Sequence, residues 1–242
     1  MITWDAQLSV AGVMFVAAFV SGLAGFAFAL IALGLLFLLV PPLVAVPLVL
    51  AGSLVAQVIS LYVLREGVQW PRLWPFVGGG LLGIPLGAEA LRGLDPAGFR
   101  LGLGAFLIGY SLFMLARRGA LVVAGAGRLV DGAVGLVGGV MGGLAGLSGA
   151  LPTVWCGMRS WTRGEQRGVY QPYILIMQIA ALGWIGATLA IPDGTTLLFL
   201  LCLPGTVLGT LLGIRLYRRI DDALFRRVVL GLLLVCGLVL VV

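Results

Sequence analysis

Long apolar runs separated by short turns take up almost the whole chain, and they restrict the folds open to it. Eight such runs lie at roughly 8–40, 43–64, 73–91, 98–116, 129–158, 169–190, 195–214 and 223–242. Only 10% of the residues are charged and 61% are hydrophobic, which leaves too little polar surface for a water-soluble domain. Runs of 18 or more nearly uncharged residues are typical of membrane-spanning helices. We therefore predict an all-α, polytopic membrane protein.

Three motifs of the first half of the chain recur in the second half in the same order. They are Ser21-Gly-Leu-Ala-Gly25 with Gly142-Gly-Leu-Ala-Gly146, Gly79-x3-Gly83-x3-Gly87 with Gly205-x3-Gly209-x3-Gly213, and Asp95-Pro-Ala-Gly-Phe-Arg100 with Asp221-Asp-Ala-Leu-Phe-Arg226. The first pair lies 121 residues apart and the other two lie 126 residues apart. These intervals predict two homologous four-segment halves, 1–118 and 129–242, joined by a linker at 119–128. The glycine rows, with residues four apart on one helix face, predict close helix packing.

The first and fifth apolar runs are longer than the about 20 residues that a spanning helix needs. Each carries its glycine cluster near the middle, and glycine weakens a helix and permits tight turns. Two structures fit these runs: a single tilted and kinked span, or a re-entrant hairpin of two half-helices.

The arginines favour the hairpins, because basic residues of membrane proteins concentrate on the cytoplasmic side. With hairpins, all 15 basic residues except Arg92 and Arg100 fall on one side. With eight full spans, more of them lie outside. The hairpin alternative makes the halves inverted repeats, and both alternatives put the two termini outside, on the side of the membrane opposite the cytoplasm.

A helix broken at a glycine cluster exposes backbone N–H groups where its second half begins. Those groups and the helix dipole favour negative charge. The predicted binding residues around the second break are Gly146, Ser148, Gly149, Thr153 and Trp155, and Gly25 is the counterpart in the first half. A helix kink packed on its neighbour is the alternative.

Polar residues inside apolar runs are expensive in a membrane and are usually paired or functional. Ser53 and Gln57 share one face of the second segment, while Gln171 and Gln178 share one face of the sixth, with Tyr170 beside them. Because these segments are equivalent in the two halves, we expect the five residues to line one cavity between them. Hydrogen bonding between helices is the alternative.

The composition argues against catalysis, because the chain has neither histidine nor lysine. Gly146-Leu-Ser-Gly149 has the G-x-S-G pattern of intramembrane serine proteases, but such a serine needs a neighbouring base. We predict that the protein is not an enzyme and expect no cofactor and no metal site. Acidic residues lie near segment ends, so a site of amides and hydroxyls suits a small anion better than a cation.

The net charge of +6 comes from arginines that lie between apolar runs, which indicates orientation in a membrane and not nucleic-acid binding. Arg159, Arg163 and Arg167 form a basic cluster after the second glycine-rich segment. We interpret this cluster as a cytoplasmic anchor. Attraction of anions toward the pore is the alternative role.

With these motifs in this order, the chain resembles the sulfite exporter TauE/SafE family over about 16–117 and 134–242. The resemblance rests on the two glycine-rich starts and on the two glycine rows, the second of which begins Leu203-Pro-Gly205. It implies a membrane permease for sulfite, sulfonates or related anions, built from a duplicated four-segment unit. The first half has Gly25-Phe-Ala-Phe where the family has further glycines, so we expect Phe26 and Phe28 to form an apolar wall.

We therefore expect a transporter, an exporter in direction, that alternates access to a small sulfur-containing or organic anion between two repeats. A passive anion channel and a non-transporting membrane subunit of a partner enzyme are the alternatives. The expected partners are the anion and the lipid bilayer, without nucleic acid. Coupling to a proton or another ion, and assembly as a homo-oligomer, are left open.

Overall fold

The computed structural model describes residues 4–64, 67–93, 95–116, 127–188, 191–217 and 222–241. The regular structure in these ranges is entirely helical, which confirms the all-α prediction. The helices are α1 (Trp4–Ala24), α2 (Phe28–Leu36), α3 (Pro42–Leu64), α4 (Trp70–Gly93), α5 (Pro96–Ala116), α6 (Arg128–Ala145), α7 (Ala150–Cys156), α8 (Arg163–Thr188), α9 (Thr195–Tyr217) and α10 (Asp222–Val241). Most of the predicted linker 119–128 lies outside the described residues.

The helices before the linker and those after it follow the same order of lengths. In each set the second helix is short and the other four are long: α1 to α5 have 21, 9, 23, 24 and 21 residues, and α6 to α10 have 18, 7, 26, 23 and 20. Among the described residues, six helices are long and apolar enough to cross a membrane: α1, α3, α5, α6, α8 and α9. By contrast α2 and α7 are far shorter than the about 20 residues of a span. The chain is therefore built as a multi-pass membrane protein.

Each of the two long apolar runs is broken at its glycine cluster. The chain turns at Gly25 between α1 and α2, with φ +83°, and at Gly146 between α6 and α7, with φ +70°. This left-handed conformation disfavours residues with a β-carbon, so glycine ends each helix here. The N–H of each glycine still donates to the carbonyl four residues earlier, at 2.6 Å and 2.7 Å. We call residues 25–27 the first break and residues 146–149 the second break.

After the second break, α7 folds back along α6. A β-carbon on Gly138, in the second half of α6, would meet Pro152 in the first turn of α7. At the far end of α7, the indole N–H of Trp155 donates to Oδ1 of Asp131 in the first turn of α6 at 2.7 Å. The start of α7 therefore contacts the second half of α6, and the end of α7 contacts the start of α6. The two helices are antiparallel and form a hairpin.

The central helices of the two halves run in opposite directions. Ser53 of α3 contacts Gln178 of α8 at 3.1 Å. Gly67, which follows α3, lies against Gly168 near the start of α8, so the two helices are antiparallel. α5 and α10 are antiparallel as well, since the start of α5 faces the end of α10.

The glycine rows bring helices of opposite halves into backbone contact, as their spacing predicted. The row on α4 packs against α6, and the row on α9 packs against α1. A β-carbon on Gly83 would collide with the carbonyl of Leu136, and one on Gly213 with the carbonyl of Phe19. Close approach of small residues is how helices associate in lipid, where apolar side chains gain little from leaving the solvent.

One end of the helix bundle carries clustered arginines, and we call it the basic end. Arg72 at the start of α4 forms a salt bridge of 2.7 Å with Glu165 at the start of α8. The guanidinium of Arg167 lies 4.1 Å from the centre of the Tyr217 ring at the end of α9. Arg215 lies in the last turn of α9. The starts of α4 and α8 and the end of α9 therefore meet at this end.

Candidate functional site

A glutamine holds the glycine carbonyl at each break. The carboxamide nitrogen of Gln57 on α3 donates to the carbonyl of Gly25 at 2.9 Å. The carboxamide nitrogen of Gln178 on α8 donates to the carbonyl of Gly146 at 3.3 Å and to the hydroxyl of Ser53 at 3.1 Å. In both halves the glutamine follows its glycine by 32 residues. Buried carbonyls freed where a helix ends need such partners, so these glutamines stabilise both breaks.

The first break faces three polar side chains of α8. A β-carbon on Gly25 would lie 2.8 Å from Nε2 of Gln171, 3.2 Å from the hydroxyl of Tyr170 and 3.4 Å from a terminal nitrogen of Arg167. The three polar tips therefore converge on the α-carbon of Gly25. Position 25 therefore requires glycine for two reasons: a β-carbon would collide with these side chains, and the backbone there is left-handed.

Arg167 supplies the positive charge at this place. It is only 5% exposed, and one of its terminal nitrogens donates to the carbonyl of Leu23 at 3.2 Å. Charged side chains within spanning segments are rare and mark sites of function. The sequence interpretation of Arg167 as part of a cytoplasmic anchor does not explain its position, because the structure buries it beside the first break. The missed signal is its spacing: Arg167 and Gln171 are one turn apart and share a face of α8.

Several buried polar atoms around the breaks have no hydrogen-bond partner among the described residues. They are both carboxamide atoms of Gln171, the carboxamide oxygens of Gln57 and Gln178, and the hydroxyl of Ser148. Each of these residues is at most 1% exposed. A buried polar group without a partner costs about 1–3 kcal/mol, and native proteins usually avoid it. These unpaired atoms lie on side chains at the two breaks, where a polar guest would supply the missing partners.

The two breaks touch each other and enclose a narrow gap. Phe26 lies 3.6 Å from where a β-carbon on Gly149 would stand. The gap is lined by Phe26, Leu30, Leu147 and Ile174 on its apolar side, and by Ser53 and Gln178 on its polar side. It is too tight to hold a water molecule. The breaks are therefore closed against each other in this conformation.

Phe26 forms part of the apolar wall, as expected, but Phe28 does not line this gap. Phe28 is fully buried and packs instead on Gly52 of α3, beside Met14. Its large ring fills the space between α1, α2 and α3, so its role is packing.

The structure brings most of the predicted binding residues to the two breaks. Gly25, Gln57, Tyr170 and Gln171 lie at the first, and Ser53, Gly146, Ser148, Gly149 and Gln178 lie at the second. Two residues lie apart. Thr153 is on α7, outside the second break, and like Ser148 it is not among the residues that line the gap. Trp155 donates to Asp131, which also lies 3.6 Å from Arg159 in a salt bridge.

The described acidic side chains near the basic end are paired away from the breaks. Asp131 is held by Trp155 and Arg159, and Glu165 by Arg72. The charge that faces the first break is therefore positive. Since α7 has only seven residues, a full charge on Arg167 outweighs the fractional charge at a helix end.

The sequence of the chain that forms this site was compared with known protein families. The family model described as Sulfite exporter TauE/SafE matches residues 10–240. The chain belongs to this family. The family is one of membrane transporters and not of enzymes, which agrees with the helices long enough to span a bilayer. No curated protein and no solved structure matches the chain.

Proposed function

We propose that the protein exports a small sulfur-containing or organic anion, such as sulfite or a sulfonate, across the bacterial inner membrane. The observation that carries this proposal is the buried Arg167 beside Gln171, whose two carboxamide atoms have no partner in the described part of the chain. An arginine gives strong hydrogen bonds to the oxygens of an anion and balances its charge. The family to which the chain belongs points to the same class of substrate.

The anion binds at the first break. Its oxygens accept hydrogen bonds from Arg167, from the hydroxyl of Tyr170 and from the carboxamide nitrogen of Gln171. These three groups already converge on the α-carbon of Gly25. Ser148 is a further donor in this proposal: it lies in the second break, beside Gly142 of α6, and its hydroxyl is buried without a partner among the described residues. A sulfite or sulfonate group offers three oxygens, which matches the three groups that converge on Gly25.

Transport proceeds by alternating access between two inverted repeats, each with a hairpin that enters and leaves the membrane on one side. The antiparallel pairs α3/α8 and α5/α10 support the inversion, because they are equivalent helices of the two halves. The fold-back of α7 along α6 supports the hairpin. The gap between the breaks excludes water, which suits a closed state of a transporter better than an open channel.

The basic end faces the cytoplasm in this proposal, since arginines concentrate on that side. Both termini then lie at the opposite, periplasmic end. The membrane potential or an ion gradient supplies the energy for export.

The test is flux of radiolabelled sulfite and of a small sulfonate in proteoliposomes, with Gln171→Leu as the variant. Because both carboxamide atoms of Gln171 are buried and unpaired among the residues that the structure describes, we expect Gln171→Leu to keep or raise the unfolding temperature while flux falls about tenfold or more. Gln69→Leu, a half-buried glutamine just before α4, is the matched control and keeps full flux. Full flux through Gln171→Leu would contradict the site. Flux that rises linearly with anion concentration, without saturation, would indicate a channel.

A further inference from the structure

A groove of about 990 Å³ opens on the side of the bundle between α1, α3 and α9. Its lining includes Phe19 of α1, Val63 of α3, and Leu211, Leu212 and Ile214 of α9. Leu211 and Leu212 are 40% and 45% exposed, so this surface opens outward from the bundle. All three helices are apolar and long enough to span, which places the groove against the hydrocarbon of the bilayer.

One charged residue interrupts this apolar lining. Arg215 lies in the last turn of α9, at the basic end, and the described residues give it no carboxylate partner. The unpaired carbonyls at the end of a helix favour a cation there but leave the guanidinium free to meet an anion from outside. The groove therefore combines an apolar wall with a positive charge at its cytoplasmic edge.

We propose that this groove binds one anionic phospholipid, with an acyl chain along the apolar wall and the phosphate on Arg215. A small hydrophilic anion would leave the apolar wall uncovered. A zwitterionic lipid would cover the wall but would bring no net charge to Arg215. Basic pockets between spanning helices near the cytoplasmic surface are suited to anionic headgroups.

A lipid in this groove would hold helices from the two ends of the chain together. Phe19 and Val63 belong to the first half of the chain, while Leu211, Leu212 and Arg215 belong to the second. A lipid seated in the groove bridges α1 and α3 to α9, beside the glycine row that packs α9 on α1. Because it binds the folded protein only, it raises the unfolding temperature.

The test measures unfolding temperature and lipid affinity of the purified full chain in detergent. The probes are phosphatidylglycerol, phosphatidylcholine with the same acyl chains, and glycerol 3-phosphate as the headgroup alone. We expect phosphatidylglycerol to bind about fivefold more tightly than phosphatidylcholine, as one arginine near a membrane surface provides. Glycerol 3-phosphate should have no effect at the same concentrations.

Arg215→Gln should abolish the preference for phosphatidylglycerol, whereas Arg128→Gln, an exposed arginine at the start of α6, should keep it. Leu212→Gln should weaken both lipids while keeping their ratio, since it changes the wall and not the charge. Equal binding of the two lipids to the natural protein would overturn the proposal. So would a preference that survives in Arg215→Gln, or stabilisation by glycerol 3-phosphate alone. The preference is a ratio within each folded variant, so these outcomes do not depend on transport activity.

Discussion

The two helix breaks have the same left-handed glycine conformation and the same stabilising hydrogen bond. Each has a left-handed glycine, Gly25 or Gly146, followed 32 residues later by a glutamine that donates to its carbonyl. Gln57 and Gln178 are themselves 121 residues apart, the interval that separates the two glycines. Glycine and glutamine therefore form a structural unit that both halves need in order to end a helix inside the bundle.

The breaks differ in the side chains that the neighbouring helix presents to each glycine. The first break faces Tyr170 and Gln171 of α8, and the second faces Val49 and Leu50 of α3. These pairs also lie 121 residues apart, the same interval as the two glycines, but their side chains differ in chemistry. The two breaks therefore have similar backbones but different neighbours. Beside its left-handed glycine, the first break has a charged and two polar side chains of α8, whereas the second break has apolar side chains of α3 at that place.

The largest effect should come from Arg167, the charge that only the first break has. Arg167→Gln removes the cation beside the site, and a hydrogen bond to a charged group contributes about 1.5–3 kcal/mol. We expect anion flux in proteoliposomes to fall at least about tenfold, because each 1.4 kcal/mol corresponds to a factor of about ten. Arg167→Lys keeps the charge and should recover part of the flux.

Arg128→Gln is the control, since Arg128 lies exposed at the start of α6. Its flux should equal that of the natural protein. Arg167→Gln must first be shown to fold, as judged by its unfolding temperature. If it then transports at the natural rate, the positive charge at the first break has no part in anion binding.

The second test compares alanine at the two left-handed glycines. Both Gly25→Ala and Gly146→Ala force a β-carbon into a conformation that costs about 1–2 kcal/mol. Only at Gly25 would that β-carbon also meet polar side chains, the closest being Nε2 of Gln171 at 2.8 Å. At Gly146 the nearest atom is 3.4 Å away, on Val49. We expect both variants to lose stability in thermal unfolding, and Gly25→Ala alone to lose most of its flux.

Equal flux in the two variants would mean that the polar wall of α8 is not where the anion binds. Because both substitutions impose the same backbone strain, the difference in flux between them reflects the contact of the new β-carbon at Gly25 with the polar side chains of α8.

Much of this architecture was predictable from the sequence, because membrane helices follow from apolar length and glycine spacing. The rows that include Gly83 and Gly213 predicted close packing, and the described contacts confirm it. The clusters at Gly25 and Gly146 marked where the chain turns, since only glycine tolerates the left-handed conformation there. Local patterns were sufficient for these features.

The sequence did not reveal which polar groups meet, since that depends on helices far apart in the chain. Arg167 lies 144 residues from the Leu23 carbonyl that it contacts, and its neighbours Arg159 and Arg163 made it resemble an ordinary anchor. Trp155 was placed near the break because of its position in the chain. The fold-back of α7 takes it to Asp131 instead. Tertiary packing decided both cases.

The third test asks whether the two glutamines stabilise their breaks to the same extent. Gln57→Leu and Gln178→Leu each leave a buried glycine carbonyl without its donor, which costs about 1–3 kcal/mol. We expect similar drops in unfolding temperature, with a somewhat larger one for Gln178→Leu because it also loses the bond to Ser53. A loss at one position only would mean that the shared backbone unit is needed in one half alone.

The smallest effect should come from Ser148, the polar residue that the second break contributes. Its equivalent at the first break, 121 residues earlier, is Ala27, so alanine is already compatible with such a turn. The Ser148 hydroxyl is buried and has no partner among the described residues, so Ser148→Ala should leave the unfolding temperature unchanged or slightly higher. One neutral hydrogen bond contributes about 0.5–1.5 kcal/mol, so we expect anion affinity to fall about two- to tenfold, measured as the concentration for half-maximal flux. An unchanged half-maximal concentration would remove the second break from the site and leave the anion held by the first break alone.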